Sequence, residues 1–553
     1  MNQKITRKPF RMVLSALAAS AVCAAGAASV ARAADHSEEQ RLLELRDTVI
    51  NLIRALVDKG VITREQAEKM IADAKQKAET EVAANVAKEK AQEEADKGAV
   101  RVPYVPQIVK DEISKEVAAE IKPELKGEVA AQLSPAGVRS VLPDWLQRLT
   151  WTGDVRMRGE ADNYDRNNAQ FSYLNFNAVN MAGGIVAAGP NAYLNTTDDV
   201  DRLRVRVRFG FDADLGDGWT SGMRIATGYG NPIFATTNQT LGTYGQEYQI
   251  GIDQGWIRWS GTPSDRQVLS FTGGRFANPF VSTNMVWYND LTFEGVAGNY
   301  RFNLSSDAAH RHDIVATLGA FPLTYETPSS TDKWLLGGQL GIDLRSSSDS
   351  RLQFAAAYYD YVHTVGMRNP ANTTIFNYTA PAFVQKGNTM FDIANSTNPN
   401  VNLFALAADY RLVDLLLIGD WHALPNYTVS MTAEAVRNVG FNSSQIQART
   451  GTYVAPRTSG YEADVGFGSS VFGPPHSWRA WAGYRYLQRD AVLDAFNDED
   501  FHYGGTDAKG YLVTVDYSFN RRIWTRLRYL SASAINGPPL LVDVLMLDLN
   551  AQF

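Results

Sequence analysis

The sequence predicts an all-β transmembrane barrel of about sixteen antiparallel strands, within about fourteen to eighteen, preceded by an α-helical segment. Three observations predict it. The segment 541–553 alternates in polarity up to its last residue. The gaps between strand-like segments alternate between long and short. The clearest strand, 201–211, sets four arginines on one face against five apolar residues on the other.

The chain opens with a basic, acid-free stretch holding Lys4, Arg7, Lys8 and Arg11, then a small apolar run over 12–30, then Ala31-Arg32-Ala33. This order reads as a secretory signal peptide over 1–33. A retained anchor fits less well because Ala and Ser dominate the run, and lipidation at Cys23 is disfavoured by the bulk of Val22. Cleavage after Ala33 removes the one cysteine and five basic residues. The exported chain is then expected to hold no disulfide, and its formal charge moves from −7 to −12.

Residues 34–149 are expected to form a helical periplasmic stalk. Leu42, Leu45, Val49, Leu52, Ile53 and Leu56 recur at spacings of three and four, Gly60 breaks the run, and Thr63 caps the next helix. Further on, Ile113, Val117, Ile121, Leu125, Val129 and Leu133 recur every four residues. So narrow a strip suits association with other helices, and a trimeric coiled-coil-like stalk is expected. A solvated spacer is the alternative, since a spacing of four drifts around a helix and Pro123 kinks it.

From Trp151 onward Gly, Trp, Tyr and Phe become frequent, and lysine shrinks to Lys333, Lys386 and Lys509 against 27 arginines. Alternating polarity marks sixteen candidate strands: 151–160, 201–214, 219–229, 249–260, 266–276, 291–303, 312–321, 333–345, 351–363, 401–412, 426–438, 458–470, 477–489, 506–519, 521–533 and 541–553. The gap 413–425 is too long for a tight turn and has room for a further strand. Elsewhere long gaps such as 161–200, 230–248, 277–290 and 364–400 are separated by short ones such as Gly216-Asp-Gly218. A barrel with short turns at one rim and long loops at the other accounts for this alternation, and a soluble sandwich does not. Nothing after residue 33 approaches the apolar length of a membrane helix; the longest candidate, Leu412 to Gly419, contains Asp414.

The strand faces describe the interior. Arg202, Arg204, Arg206 and Arg208 share a face opposite Leu203, Val205, Val207, Phe209 and Phe211. Arginine facing mid-bilayer lipid costs about 2–4 kcal/mol, so these side chains are expected to line a wide polar lumen, as are Arg156, Arg158, Arg522, Arg526 and Arg528. Residues 150–553 carry 30 basic and 38 acidic side chains, so the ladder either shapes solute passage or pairs internally. A lumen with basic rows opposite acids would order water and screen solutes by polarity.

In the last strand Leu545, Leu547, Leu549, Ala551 and Phe553 form one face and Met546, Asp548, Asn550 and Gln552 the other. A soluble terminal strand is the bland reading. The terminal aromatic with alternate apolar residues resembles the C-terminal signature of bacterial outer-membrane proteins. That resemblance implies that Leu545, Leu547, Leu549 and Phe553 are read by the barrel-assembly machinery. As a whole the chain resembles Gram-negative porins, most closely those with a helical segment before the barrel. The resemblance implies passive diffusion of small hydrophilic solutes, a homotrimer, and an outer-membrane setting among lipid and lipopolysaccharide. By position the loop 277–290 resembles the constriction loop of trimeric porins, with Asn278, Asn284, Asp290 and the nearby Glu294 as its candidate residues. The acidic cluster usual there is missing, which argues against a cation-selective version.

No phosphate-binding glycine loop, nucleophile elbow or cysteine–histidine set is present. His310 and His312 are expected in a solvated turn rather than on a metal, and Asp498, Glu499 and Asp500 in a solvated outer loop rather than on calcium or the ions that bridge lipopolysaccharide. No cofactor, metal or nucleic acid is expected. The leading reading is therefore a diffusion channel and not an enzyme. A tether gripping peptidoglycan through the helices is second, and a barrel enzyme third.

Overall fold

The computed structural model describes residues 144–228, 236–305, 310–326, 331–346 and 350–553. The expected signal peptide, Cys23 and the expected stalk up to residue 143 lie outside the described residues. None of the described helices is long and apolar enough to cross a membrane.

Sixteen long strands among the described residues build the wall. In chain order they are β1 (Leu149–Tyr164), β2 (Val200–Gly216), β3 (Trp219–Ala226), β4 (Gly251–Ser264), β5 (Gln267–Ala277), β6 (Thr292–Asn303), β7 (Arg311–Thr324), β8 (Lys333–Arg345), β9 (Arg351–Val362), β10 (Arg411–Leu424), β11 (Tyr427–Asn438), β12 (Ser459–Ser469), β13 (Trp478–Leu487), β14 (Ala508–Asn520), β15 (Ile523–Ala534) and β16 (Leu541–Gln552). Each pairs antiparallel with its neighbours in sequence, and β16 pairs with β1 from Asp154↔Gln552 to Tyr164↔Val542, which closes the ring. A two-residue strand, Gln239–Thr240, adds to β2 beyond the reach of the short β3. Closure leaves no unpaired edge, as a sheet within lipid requires.

Pleating sorts the side chains. Leu203, Val207 and Phe209 of β2, Leu336 and Leu340 of β8, Val413 and Leu415 of β10, and Val513 and Val515 of β14 are exposed on the outer face. Their neighbours Arg204, Gln339, Asp414 and Asp516 are buried on the inner one. Aromatic rings border this apolar band. Near the short turns Trp151 stacks on Phe209 at 5.4 Å and Tyr427 on Phe467 at 5.4 Å. Near the long loops Tyr461 stacks on Tyr486 at 5.2 Å and Tyr484 meets Tyr511 edge-on at 5.2 Å. Two such belts, at the levels of the two interfaces, are what a membrane-spanning barrel presents to lipid.

One expected strand is displaced. Of 401–412, Phe404–Leu406 pairs in a small ribbon with Met390–Asp392 within the loop 363–410, and Arg411 and Leu412 open the next wall strand. The tenth wall strand is β10, and the gap 413–425 that came after the expected strand is mostly that strand. Its alternation is hidden because Leu412 and Leu416 turn inward, on either side of the buried Asp414, while Val413 and Leu415 turn outward, so both faces carry large apolar residues. The tight turn lies at Pro425-Asn426, where Asn426 adopts φ 69°.

The long loops do not stay at the rim. Phe280, Met285, Val286 and Trp287 of loop 278–291, Ile393 and Ala405–Ala408 of loop 363–410, and Ala491–Leu493 of loop 488–507 join one buried cluster with Phe293, Phe321, Leu335, Tyr359 and Tyr361 of the wall. Trp287 sits at its centre, 5.0 Å from Phe293, 5.1 Å from Tyr359 and 6.0 Å from Phe496.

Candidate pore constriction

Loop 278–291 leaves β5 and returns in β6, yet it touches three distant strands. The amide of Val281 donates to Gln339 Oε1 of β8 at 2.9 Å, and Gln339 Nε2 donates to the Val281 carbonyl at 2.8 Å. The amide and hydroxyl of Thr283 donate to Glu434 of β11 at 3.1 and 2.5 Å. Asp290 pairs with Arg206 of β2 at 3.1 Å and with Arg208 at 3.3 Å. A segment tied to β2, β8 and β11 at once lies inside the ring. Asn278 shapes its start by accepting from the Phe280 amide at 2.9 Å, and Asn284 Oδ1 accepts from the Asn289 amide at 3.1 Å. Glu294 lies beyond the loop on β6, exposed, and pairs with Arg275.

Loop 488–507, between β13 and β14, is the second inward segment. Asp500 pairs with Arg158 of β1 at 3.3 Å and Arg528 of β15 at 2.8 Å. Asp498 pairs with Arg485 at 2.9 Å. Glu499 accepts from Asn238 Nδ2 at 3.2 Å and from the Tyr288 hydroxyl at 3.3 Å. The two loops also join directly: the Tyr288 amide donates to the Phe496 carbonyl at 2.9 Å and the Asp498 amide to the Asn284 carbonyl at 3.0 Å. The expectation of a solvated loop for Asp498, Glu499 and Asp500 is overturned, since their exposures are 1, 8 and 4 %. Buried carboxylates need partners, and the arginines of the wall supply them.

The third inward segment, 363–410, locks onto the second. Lys386 Nζ donates to His502 Nδ1 at 2.8 Å and to the Gly504 carbonyl at 2.7 Å. Thr389 and Tyr410 both donate to Asp490.

The arginine ladder is neutralised throughout. Arg158 is bidentate to Asp548 at 2.7 and 3.0 Å. Arg202 meets Glu160 at 2.9 Å and Asp162 at 2.8 Å, and Arg204 meets Glu160 at 3.3 Å. Arg206 and Arg208 share Asp154 at 2.8 and 2.7 Å. Arg156 contacts Asn238 and lies 3.9 Å from Asp290. Arg526 pairs with Asp516 at 2.6 Å. Arg522 stands apart, exposed in the two-residue turn between β14 and β15, with its carbonyl accepting from the Gln552 amide. At the seam Leu549 is exposed on the outer face while Met546, Asp548 and Asn550 turn inward, and the Phe553 ring lies over Gly153, whose own amide donates to the Phe553 carbonyl at 3.0 Å.

Protonation in the loops reflects these contacts. Burial alone would raise Asp290, but Arg206, Arg156 and Arg208 outweigh it and hold the carboxyl below its ordinary range. Burial likewise opposes ionisation of Asp500, and Arg158, Arg528, Arg204 and Arg156 hold it well below that range. Glu499 goes the other way: burial, then the adjacent Asp500, push it up to about 7. Burial brings Lys386 down to about 7 and, with Lys386 beside it, lowers His502.

The family model described as "Putative porin" matches residues 46–553. The chain belongs to this porin family and is an outer-membrane channel. No curated protein matches it by sequence. Among solved structures the porin is similar to OprB of Pseudomonas putida at high pH, at 10% identity and TM-score 0.42, over 76% of this chain and 97% of that one. It is also similar to the anion-selective porin of Comamonas acidovorans, at 8% identity and TM-score 0.37, over 73 and 99%. OmpF of Salmonella typhi in complex with daunomycin matches at 11% identity and TM-score 0.37, over 73 and 97%.

Loop 488–507 was the site component that sequence reasoning missed. The signal was three consecutive acids among Phe496, Phe501 and Tyr503, in a chain whose basic wall had no partner assigned.

Proposed function

We propose that the porin is a water-filled diffusion channel for small hydrophilic solutes, acting without chemical turnover, whose bore is set by loops 278–291 and 488–507 clamped on the arginine wall. The observation that carries this is the grip of Arg206 and Arg208 on Asp290 and of Arg158 and Arg528 on Asp500. Paired in this way, Arg156, Arg158 and Arg202–Arg208 act first as anchors. Their charge reaches a passing solute only as the residue left after pairing, which is small. Uneven placement of these pairs still leaves a field across the bore.

The assembled form proposed is a homotrimer in outer-membrane lipid and lipopolysaccharide, inserted by the barrel-assembly machinery through the terminal strand. The helical region 34–149 would then sit in the periplasm. Planar-bilayer recording of the purified full chain tests the channel: stepwise conductance is expected, in groups of three for a trimer. Folded protein that gives no conductance overturns it.

A further inference from the structure

We propose that the inner wall at the short-turn rim holds a binding site for the oxyanion of a small solute, a carboxylate or phosphate, built by Arg345, Arg351 and Arg479. The site uses β8 to β13 and none of the ladder strands.

The register places it. Arg345 ends β8, Arg351 begins β9, and the two face each other directly across the hairpin. Like charges at directly paired positions repel unless a counter-charge lies between them. Asp343, 2 % exposed in its side chain, supplies one carboxylate to both, at 2.8 Å from Arg351 and 3.2 Å from Arg345. Asp420, directly across from Arg351 on β10, accepts from Ser430, and the two guanidinium side chains are 33 and 47 % exposed.

Arg479, second in β13, completes the arrangement. Among the described residues it makes no ion pair and no side-chain hydrogen bond. Its guanidinium lies 4.3 Å over the Phe472 ring and 5.2 Å from the Trp481 ring, and its Nε is buried without a partner. Stacking fixes the plane of the group and leaves its N–H fork unused, which suits bidentate capture of a planar or tetrahedral oxyanion. The three arginines line one cavity of about 330 Å³ with the hydroxyls of Thr428 and Ser430. The acid in its lining is Asp420, which accepts from Ser430 at 2.6 Å, and His422 adds a further donor. Three guanidinium groups thus face Asp420, the shared Asp343 and Asp516, which Arg526 already holds at 2.6 Å, and an anion balances what remains. The ladder contrasts with this, since its arginines are matched by acids on the wall and in the loops.

Calorimetric titration of the full chain in detergent with inorganic phosphate, and separately with benzoate, at fixed ionic strength tests the site without relying on conductance. Saturable binding of at least one probe is expected. It should weaken about tenfold or more in Arg479→Gln and in the double variant Arg345→Gln/Arg351→Gln. Arg266→Gln, an exposed arginine in a turn at the same rim, should bind as the unaltered chain does. Circular dichroism confirms folding of each variant. Should Arg479→Gln not fold, Arg479→Lys keeps the charge, loses the planar fork and should still weaken binding severalfold. Absence of saturable heat, or equal weakening by Arg266→Gln, overturns the proposal.

Discussion

Asp290 at the end of loop 278–291 and Arg206 on β2 lie 3.1 Å apart, with side-chain exposures of 4 and 11 %, so the inward loop is fixed to the β2 wall by a nearly dry ion pair. Removing one partner strands the other. Asp290→Asn is expected to cost about 3–5 kcal/mol of loop anchoring, because Arg206 and Arg208 then share only Asp154. Single-channel recordings should show larger or noisier steps, and melting should begin earlier. Unaltered conductance together with unaltered melting would show that the loop is held by its other contacts.

The second anchor lends itself to a double-mutant cycle. Asp500 sits 2.8 Å from Arg528, with Arg158 as its other partner. Asp500→Asn and Arg528→Gln should each destabilise the barrel, and the pair together by less than the sum. The coupling expected is about 0.5–3 kcal/mol, read from chemical unfolding in detergent. Strict additivity would mean that the two groups do not interact in solution.

Glu499 predicts a pH dependence. Burial and Asp500 raise its carboxyl to about 7, from an ordinary 4.5. Between these values the folded chain keeps a proton that the unfolded chain has released. The stability it contributes is complete below the ordinary value and is lost as pH rises through about 7. Glu499→Gln stays neutral throughout. From about pH 5 to about pH 7 the native chain should therefore lose more stability than Glu499→Gln, by up to about 1.4 kcal/mol per pH unit. Lys386, brought down to about 7 by burial, acts in the opposite sense above that point, so the comparison is confined to the acid side. Parallel melting curves for the two chains across this range would refute the assignment.

The seam gives a prediction about assembly. The Phe553 ring covers Gly153, where a Cβ would come within 2.5 Å of it. Phe553→Ala should lower the amount of barrel recovered from outer membranes while leaving refolding into detergent micelles largely intact. Gly153→Val, which displaces the ring, should do the same. Equal membrane yields for all three chains would show that the terminal ring is not a recognition element.

The barrel was legible where lipid and water divide the two faces of a strand. The alternation in 201–211 reports that division directly, and the lengths of the gaps report the two rims. It failed at β10, where Leu412 and Leu416 face a packed interior on either side of Asp414, so large apolar residues stand on both faces. The ladder was visible as a pattern, but its partners were not. Asp290 is 84 residues from Arg206, and Asp500 is 342 from Arg158, and nothing local in sequence records a contact closed over that distance. A run such as Asp498-Glu-Asp500 looks like a hydrated surface until the guanidinium groups that desolvate it are known.

The pairing of Asp154 with Gln552 joins the first wall strand to the last. Until the final residues have been made and delivered, β1 offers one side with no permanent mate, and so does every partial sheet that grows from β2 onward. Such a chain is therefore vulnerable in transit to sticking with its own copies.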